Sequence, residues 1–132
     1  MDQRRPGKIV ADSSALAAVV MEENGWEKIL EVLEENIVYS VDFAWAECTN
    51  VLWKAREPER IRRLKATMKL VDSFASSGDL AENALHIATA KGIPIYDAMF
   101  IALAEMERAT MITRDEKQAR IARTLGIDAI IV

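Results

Sequence analysis

The chain of 132 residues contains few of the side chains that build disulfide-linked or zinc-held proteins. Its single cysteine, Cys48, excludes an intrachain disulfide. Cys48 and the single histidine, His86, cannot supply the ligand set of a structural zinc site. Three prolines and five glycines, with no low-complexity tract or repeat, also exclude a collagen-like or largely disordered chain.

Long apolar runs are also missing. The longest one near the amino end, residues 15–21, stops at Glu22 and Glu23 and is too short for a membrane span or a signal peptide. We therefore expect a cytoplasmic protein. The formal net charge of −4 disfavours a protein wrapped in nucleic acid, but it is compatible with an enzyme that approaches phosphates through a metal ion.

The length and the 51% hydrophobic content predict one domain over residues 1–132 that buries a real core, with a flexible start at residues 1–7. Apolar runs and helical periodicity predict alternating strands and helices, with no strand between residues 43 and 91. The class is therefore α/β, with a mainly parallel sheet covered on both faces. The predicted strands are 9–11, 37–41, 110–113 and 127–132, and the main helices are 14–21, 43–56, 58–75, 79–91, 98–108 and 116–125.

Four acids, Asp12, Glu47, Asp97 and Asp115, lie where apolar predicted elements would bring their carboxylates to a common edge of the sheet. Asp12 directly follows the first strand, and Asp115 comes shortly after the strand at 110–113. Ligands of parallel sheets bind beyond the carboxyl ends of the strands, so acids from different strands can converge there. Convergent carboxylates repel one another unless a cation neutralises them, and hard oxygen ligands suit Mg²⁺ or Mn²⁺. The pattern predicts a carboxylate metal site.

Three of these acids also have a purely structural explanation. Asp12, Asp97 and Asp115 each precede a predicted helix, and each could be its cap. A carboxylate at a helix start accepts a backbone N–H and interacts favourably with the helix dipole. Spacing alone does not distinguish a cap from a ligand.

Glu47 lies within an apolar predicted helix, where an unpaired charge is costly. Its structural explanation is an exposed stripe that it forms with Asn50 and Lys54. Asn50 shares the face of Glu47, and its amide could orient a carboxylate or a bound water.

The joint pattern resembles the PIN-domain ribonucleases, particularly the VapC-type toxins of prokaryotic toxin–antitoxin pairs. The resemblance spans residues 9–132. It is carried by Val-Ala-Asp-Ser-Ser-Ala-Leu at 10–16, Glu-Cys-Thr-Asn at 47–50, Tyr-Asp-Ala at 96–98 and Thr-Arg-Asp at 113–115.

The resemblance implies an α/β/α sandwich and a metal-dependent endoribonuclease that cleaves RNA. It implies a homodimer and a small antitoxin that often inserts a basic side chain toward the acids. The acids that would bind Mg²⁺ or Mn²⁺ are Asp12, Glu47, Asp97 and Asp115, and the residues at supporting polar positions are Ser14, Asn50 and Thr113. Asp12 and Asp97 are expected as the most direct ligands, Glu47 as the residue that orients water or completes the coordination, and Asp115 as support for a second ion or for bound waters.

The cations between residues 54 and 69 have two interpretations. They form either a solvated helix surface or a contact with the RNA backbone through Arg60 and Arg63. Trp26, Trp45 and Trp53 have aliphatic neighbours, which favours core or subunit packing over base stacking.

The sequence also suggests alternatives to a nuclease toxin. A serine hydrolase set of Ser13, Ser14 and His86 is disfavoured, because His86 lies in a predicted helix. A receiver-like signalling domain would alternate strands and helices regularly and carry an acidic pair near its first strand, whereas serines follow Asp12. A PIN-like RNA-processing protein that is not a toxin fits the same residues.

Overall fold

The protein, seen in a computed structural model that describes residues 7–132, is built on one five-stranded sheet. The strands are β1 (Lys8–Ala11), β2 (Ile37–Val41), β3 (Ser73–Ala75), β4 (Thr110–Thr113) and β5 (Ala129–Ile131). They pair in parallel in the order β3-β2-β1-β4-β5. The flexible start predicted at residues 1–7 lies outside the described residues, except for Gly7, whose N–H donates to Asn36 Oδ1.

Seven helices flank the sheet: α1 (Ser13–Met21), α2 (Trp26–Glu35), α3 (Ala44–Ala55), α4 (Ile61–Met68), α5 (Ser77–Lys91), α6 (Ile95–Glu107) and α7 (Glu116–Thr124). Right-handed crossovers put α1 to α4 on one face and α5 to α7 on the other. Helix α1 packs on α2, α3 and α4, while α6 packs on β1 and β2 and α7 packs on β4 and β5. The predicted α/β/α sandwich is confirmed.

The two most buried helices are α1 and α6, which lie on opposite faces of the sheet. Residues 15–20 of α1 and 98–104 of α6 are all buried, as expected for helices that are apolar on every side. Strand β1 between them is buried at Ile9, Val10 and Ala11. Within residues 7–132 no single helix could span a membrane, although the bent pair Ser77–Lys91 and Ile95–Glu107 meets the requirement by length and composition alone.

The strand order creates one crevice. From β1 the chain moves to β2 and β3 on one side, and it then returns to the other side for β4 and β5. The switch point lies between β1 and β4, and ligands of open α/β sheets bind at the carboxyl ends of such strands. This order also differs from the 2-1-3-4-5 order of receiver-type folds, so the receiver-like alternative is not supported.

The prediction of one helix over residues 58–75 was wrong. The segment forms a 3-10 turn at Pro58–Arg60, then α4, and then edge strand β3. Only three residues pair in β3, too few to show an alternating pattern. Pairing with β2 creates the strand: the Asp72 N–H donates to Val38 O at 2.8 Å, and the Val38 N–H donates to Asp72 Oδ2 at 2.8 Å. These contacts lie far apart in sequence, where a local pattern cannot show them.

Arg60 and Arg63 join the 3-10 turn and α4 to the last turn of α1. The Arg63 Nε donates to Val19 O at 2.8 Å, and its guanidinium lies 4.7 Å from the centre of the Trp26 ring. The Arg60 Nη1 donates to Val20 O at 3.2 Å, and Arg60 forms ion pairs with Glu57 and Glu22. The last carbonyls of a helix lack helical partners and attract cations, so these arginines have a structural role.

We expect Arg63→Gln to lower the free energy of unfolding by about 1–2 kcal/mol, through loss of the charged hydrogen bond and the ring contact. The matched control is Arg62→Gln at the exposed neighbouring position, which should change stability by less than about 0.5 kcal/mol. Urea denaturation measures both. Equal stability of the two variants would contradict the structural role of Arg63.

Candidate functional site

Asp12 occupies the junction of β1 and α1 and is only 5% exposed. Its Oδ1 accepts hydrogen bonds from Ala15 N at 3.0 Å and from Ser14 Oγ at 2.6 Å. Its Oδ2 accepts one from Thr113 Oγ1 at 2.5 Å. Burial raises the pKa of Asp12, these hydrogen bonds oppose that rise, and the negative charge of Asp115 adds to it. Asp12 is therefore the cap of α1.

The cap leaves Asp12 able to bind one more partner. A carboxylate offers about four lone pairs, and the three hydrogen bonds use both on Oδ1 and one on Oδ2. The structural explanation and the ligand explanation are thus compatible for this residue.

Two hydroxyls connect the end of β4 to the start of α1. Thr113 Oγ1 donates to Asp12 and accepts from Asp115 N at 3.0 Å. Ser14 Oγ donates to Asp12 and accepts from Arg114 N at 3.0 Å. Each hydroxyl has one proton to donate, and in both cases Asp12 receives it. Ser14 and Thr113 therefore orient the Asp12 carboxylate directly.

Asp115 caps α7, as its position before the helix indicated. Its Oδ1 accepts from Lys117 N at 2.9 Å and from Gln118 N at 3.2 Å. Arg114, beside it in sequence, does not neutralise it: the Arg114 guanidinium donates to Asn24 O and lies 3.8 Å from Glu23. Asp115 itself is exposed.

Asp97 is not a cap, which corrects one of its two interpretations. Pro94 caps α6 with an extended backbone, so the helix begins at Ile95 and Asp97 lies within its first turn. Its half-buried side chain accepts no hydrogen bond from any residue in the range 7–132. Burial raises the pKa of Asp97, and the charge of Asp115 raises it further, while Lys117 lowers it. Asp97 and Asp115 are therefore close enough to repel.

Glu47 is half-buried on α3, and its Oε1 accepts a hydrogen bond from Ser13 Oγ at 2.6 Å. Burial, followed by the charges of Glu47 and Asp12, raises the pKa of Cys48 to about 12. Glu47 and Asp12 therefore lie near the same thiol, and that thiol stays protonated. Asn50 is exposed and makes no hydrogen bond to Glu47 in this part of the chain, so the structure gives it no orienting contact.

Two residues that hold the acids were not predicted from the sequence. Ser13 contacts Glu47, and Gln118 contacts both Asp97 and Asp115. Nothing in the sequence pairs Ser13 with a glutamate 34 positions away. Gln118 did leave a signal, because it shares the inner face of α7 with Ile121 and Ala122 at helical spacing.

Comparison with known proteins identifies the family of the chain. The PIN domain family matches residues 9–124. The chain belongs to the PIN-domain family. It is 30% identical to ribonuclease VapC3 of Pyrobaculum aerophilum, and the match covers 85% of this chain and 92% of that protein.

Solved structures show the same fold. A Pyrobaculum aerophilum protein superposes with a TM-score of 0.72 at 22% identity, covering 95% of this chain and 92% of that one. VapBC2 of Rickettsia felis, solved with a promoter DNA fragment, gives 0.70 at 15% identity, covering 95% and 98%. FitAcB of Neisseria gonorrhoeae gives 0.63 at 18% identity, covering 92% and 96%.

The acids of this PIN domain suit a divalent cation by their chemistry. Among residues 7–132, no three carboxylate, imidazole or thiol groups form a ready-made coordination set. The side chains nevertheless offer hard oxygen donors, and Asp115 raises the pKa of both Asp12 and Asp97. Such mutual repulsion is relieved by a bound cation, and hard oxygen donors favour Mg²⁺ or Mn²⁺. The acids therefore fit a bound Mg²⁺ or Mn²⁺ ion.

The serine hydrolase alternative is not supported by the hydrogen bonds. Ser13 and Ser14 donate their hydroxyl protons to Glu47 and Asp12, and His86 is exposed on α5. Neither serine hydrogen-bonds a histidine base, which an activated serine requires.

We expect Asp97→Asn to stabilise the metal-free protein at neutral pH. The raised pKa means that the folded state binds more protons than the unfolded state above the ordinary value of 3.8. The free energy of unfolding therefore falls as pH rises through the window above 3.8, and the neutral amide removes this loss. Thermal unfolding between pH 3 and 7 measures the stability of the variant relative to wild type. The gain in stability should disappear at the acid end of this range.

The control for this prediction is Asp79→Asn, because Asp79 holds the same first-turn position in α5 but is exposed. It should bring no gain at neutral pH, since only the helix-dipole interaction is lost. A similar gain in both variants would refute the role of burial and of Asp115.

Proposed function

We propose that this PIN domain is a metal-dependent endoribonuclease that cleaves RNA phosphodiester bonds. The observation that carries the proposal is that the four acids affect one another's surroundings beside the switch point between β1 and β4. The charge of Asp115 raises the pKa of both Asp12 and Asp97, and the charges of Glu47 and Asp12 both raise the pKa of Cys48. The 30% identity to ribonuclease VapC3 supports RNA as the substrate class.

Asp12 and Asp97 are the residues that would hold Mg²⁺ or Mn²⁺ most directly, with Asp115 as support. A bound ion would supply Lewis acidity toward the phosphodiester and lower the pKa of a water. Glu47 has one oxygen fixed by Ser13, so its other oxygen is available to orient the attacking water or accept its proton. No side-chain nucleophile is needed, because water would be the attacking group. The hydroxyls of Ser13 and Ser14 hold the acids instead.

Asp12→Asn, Glu47→Gln and Asp97→Asn should each lower the rate of RNA cleavage by at least about 100-fold. Amides preserve side-chain shape, and asparagine at position 12 still caps a helix, so the fold should survive. Asp115→Asn should have a smaller effect. Cleavage of a fluorescent RNA measures the rates, with Asp79→Asn as the control at wild-type activity. Full activity in the Asp12 and Asp97 variants would refute the site.

Metal removal tests the cofactor separately. EDTA should silence the wild-type protein, and Mg²⁺ or Mn²⁺ should restore cleavage. Activity that persists in the chelator would show that the cleavage does not depend on a divalent ion.

We further propose that the protein is the toxin of a toxin–antitoxin pair, cytoplasmic and homodimeric, restrained by a small antitoxin protein. The Rickettsia felis neighbour is a VapBC2 structure, which supports a protein partner of this kind. Four carboxylates at one edge would favour a partner with a basic side chain. The exposed Trp53 on α3, 75% accessible, is no core residue and supports subunit packing. A PIN-like RNA-processing role remains the alternative.

Expression of the wild-type protein alone in a bacterial or archaeal host should arrest growth, whereas Asp97→Asn should not. Growth curves with matched protein levels, verified by immunoblot, measure this. Co-expression of a neighbouring short reading frame should restore growth. Equal growth with wild type and variant in several hosts would favour the RNA-processing role.

An RNA contact by Arg60 and Arg63 stays a prediction. Both guanidiniums are already bonded to carbonyls of α1, and Arg60 also to Glu22 and Glu57. A phosphate would have to compete with these partners, so replacing either arginine tests stability and RNA binding together.

A further inference from the structure

Gln118 is a buried polar residue between the two helices that carry Asp97 and Asp115. Its side chain is 3% exposed. The Gln118 Nε2 donates to the backbone carbonyl of Asp97 at 2.8 Å, and the Gln118 backbone N–H donates to Asp115 Oδ1 at 3.2 Å. One residue therefore holds the main chain at one acid and the side chain of another.

The position of Gln118 normally serves a different purpose. Asp115 and Gln118 have the spacing of a capping box, in which the glutamine side chain bonds the backbone N–H of the cap residue. In this chain the Asp115 N–H donates to Thr113 Oγ1 instead, at 3.0 Å. The amide of Gln118 is thus free to reach α6.

A single hydrogen bond of the described residues joins α6 to α7. From Gly7 to Val132, only the bond from Gln118 Nε2 to the Asp97 carbonyl connects these two helices. The acids at the two helix starts carry like charges and repel each other. Without the amide, their separation would be opposed only by the attraction between Lys117 and Asp97 and by the packing of both helices on the sheet.

We propose that Gln118 is a positioning residue that fixes the spacing of the Asp97 and Asp115 carboxylates and so sets the affinity of the site for a divalent cation. The inference rests on the proposed function for its metal part. A neutral amide suits this task, because it holds the main chain at Asp97 without cancelling the charge that a cation must meet, while the Gln118 backbone N–H holds Asp115. A lysine or arginine here would compete with the ion.

The first test measures Mn²⁺ binding by electron paramagnetic resonance in wild type and Gln118→Met, which keeps the length of the side chain and removes the donor. Loss of a residue that orients ligands weakens metal binding by about 10–100-fold, and we expect the lower end. The control is Thr67→Val, which removes a buried 2.8 Å hydrogen bond to Arg63 O within α4. It should leave Mn²⁺ affinity unchanged, although it also loses one buried hydrogen bond.

The second test needs no metal. Carbon-13 spectra of the metal-free protein should show shifted carboxyl signals for Asp97 and Asp115 in Gln118→Met, and an unshifted signal for Asp12. Gln118→Asn is the second variant, in case the methionine impairs folding; its amide is one methylene too short to reach Asp97 and should behave alike.

The outcomes separate the two proposals. Wild type that binds no Mn²⁺ would overturn the metal site and the metal part of the inference, while the carboxyl spectra would still decide positioning. Wild-type Mn²⁺ affinity in the folded Gln118 variants, or unshifted carboxyl signals, would overturn the role of Gln118 alone.

Discussion

The arrangement of the site depends on a carboxylate that is buried at the switch point of the sheet. Burial of Asp12 is costly unless the chain supplies hydrogen bonds, and it does so from Ser14, Thr113 and the N–H of Ala15. Ser14 and Ala15 are close to Asp12 in sequence, whereas Thr113 lies at the end of β4, so the Thr113 bond forms only when β4 lies beside β1. The orientation of Asp12 therefore depends on the strand order that places β4 beside β1.

The Asp97 carboxylate weakens the fold rather than stabilising it, and repulsion from Asp115 contributes, although Asp115 itself caps α7. The Asp97 side chain is half-buried without a hydrogen-bond partner from residues 7–132, and both burial and the charge of Asp115 raise its pKa. Natural chains accept such conflicts mainly at functional sites. The same acids would be explained if a cation completes the structure, which links the stability of the metal-free protein to its proposed activity.

The sequence predicted those parts of the site that depend on local pattern. Strands β1, β2 and β4 have recognisable apolar runs; Asp12 follows β1 directly, and Asp115 follows β4 after one intervening residue. Strand β3 could not be predicted, because its three residues become a strand by pairing with β2. In the sequence Gln118 is an ordinary helical glutamine, and its bond to Asp97 exists only because α6 packs near α7. Contacts between distant segments account for both omissions.

The side chains near the acids are mostly neutral donors, which supports a site for an external cation. Arg114 lies next to Asp115 in sequence, yet its guanidinium turns to Asn24 and Glu23. The groups that do hold the acids are hydroxyls and an amide, supplied by Ser13, Ser14, Thr113 and Gln118. The three hydroxyls bond carboxylate oxygens, and the Gln118 amide bonds the backbone carbonyl of Asp97. Neutral donors of this kind orient the acidic residues and leave the charge of their carboxylates intact. Lys117 lowers the pKa of Asp97, and the remaining repulsion between Asp97 and Asp115 is what a divalent cation would relieve, which supports the proposed metal site.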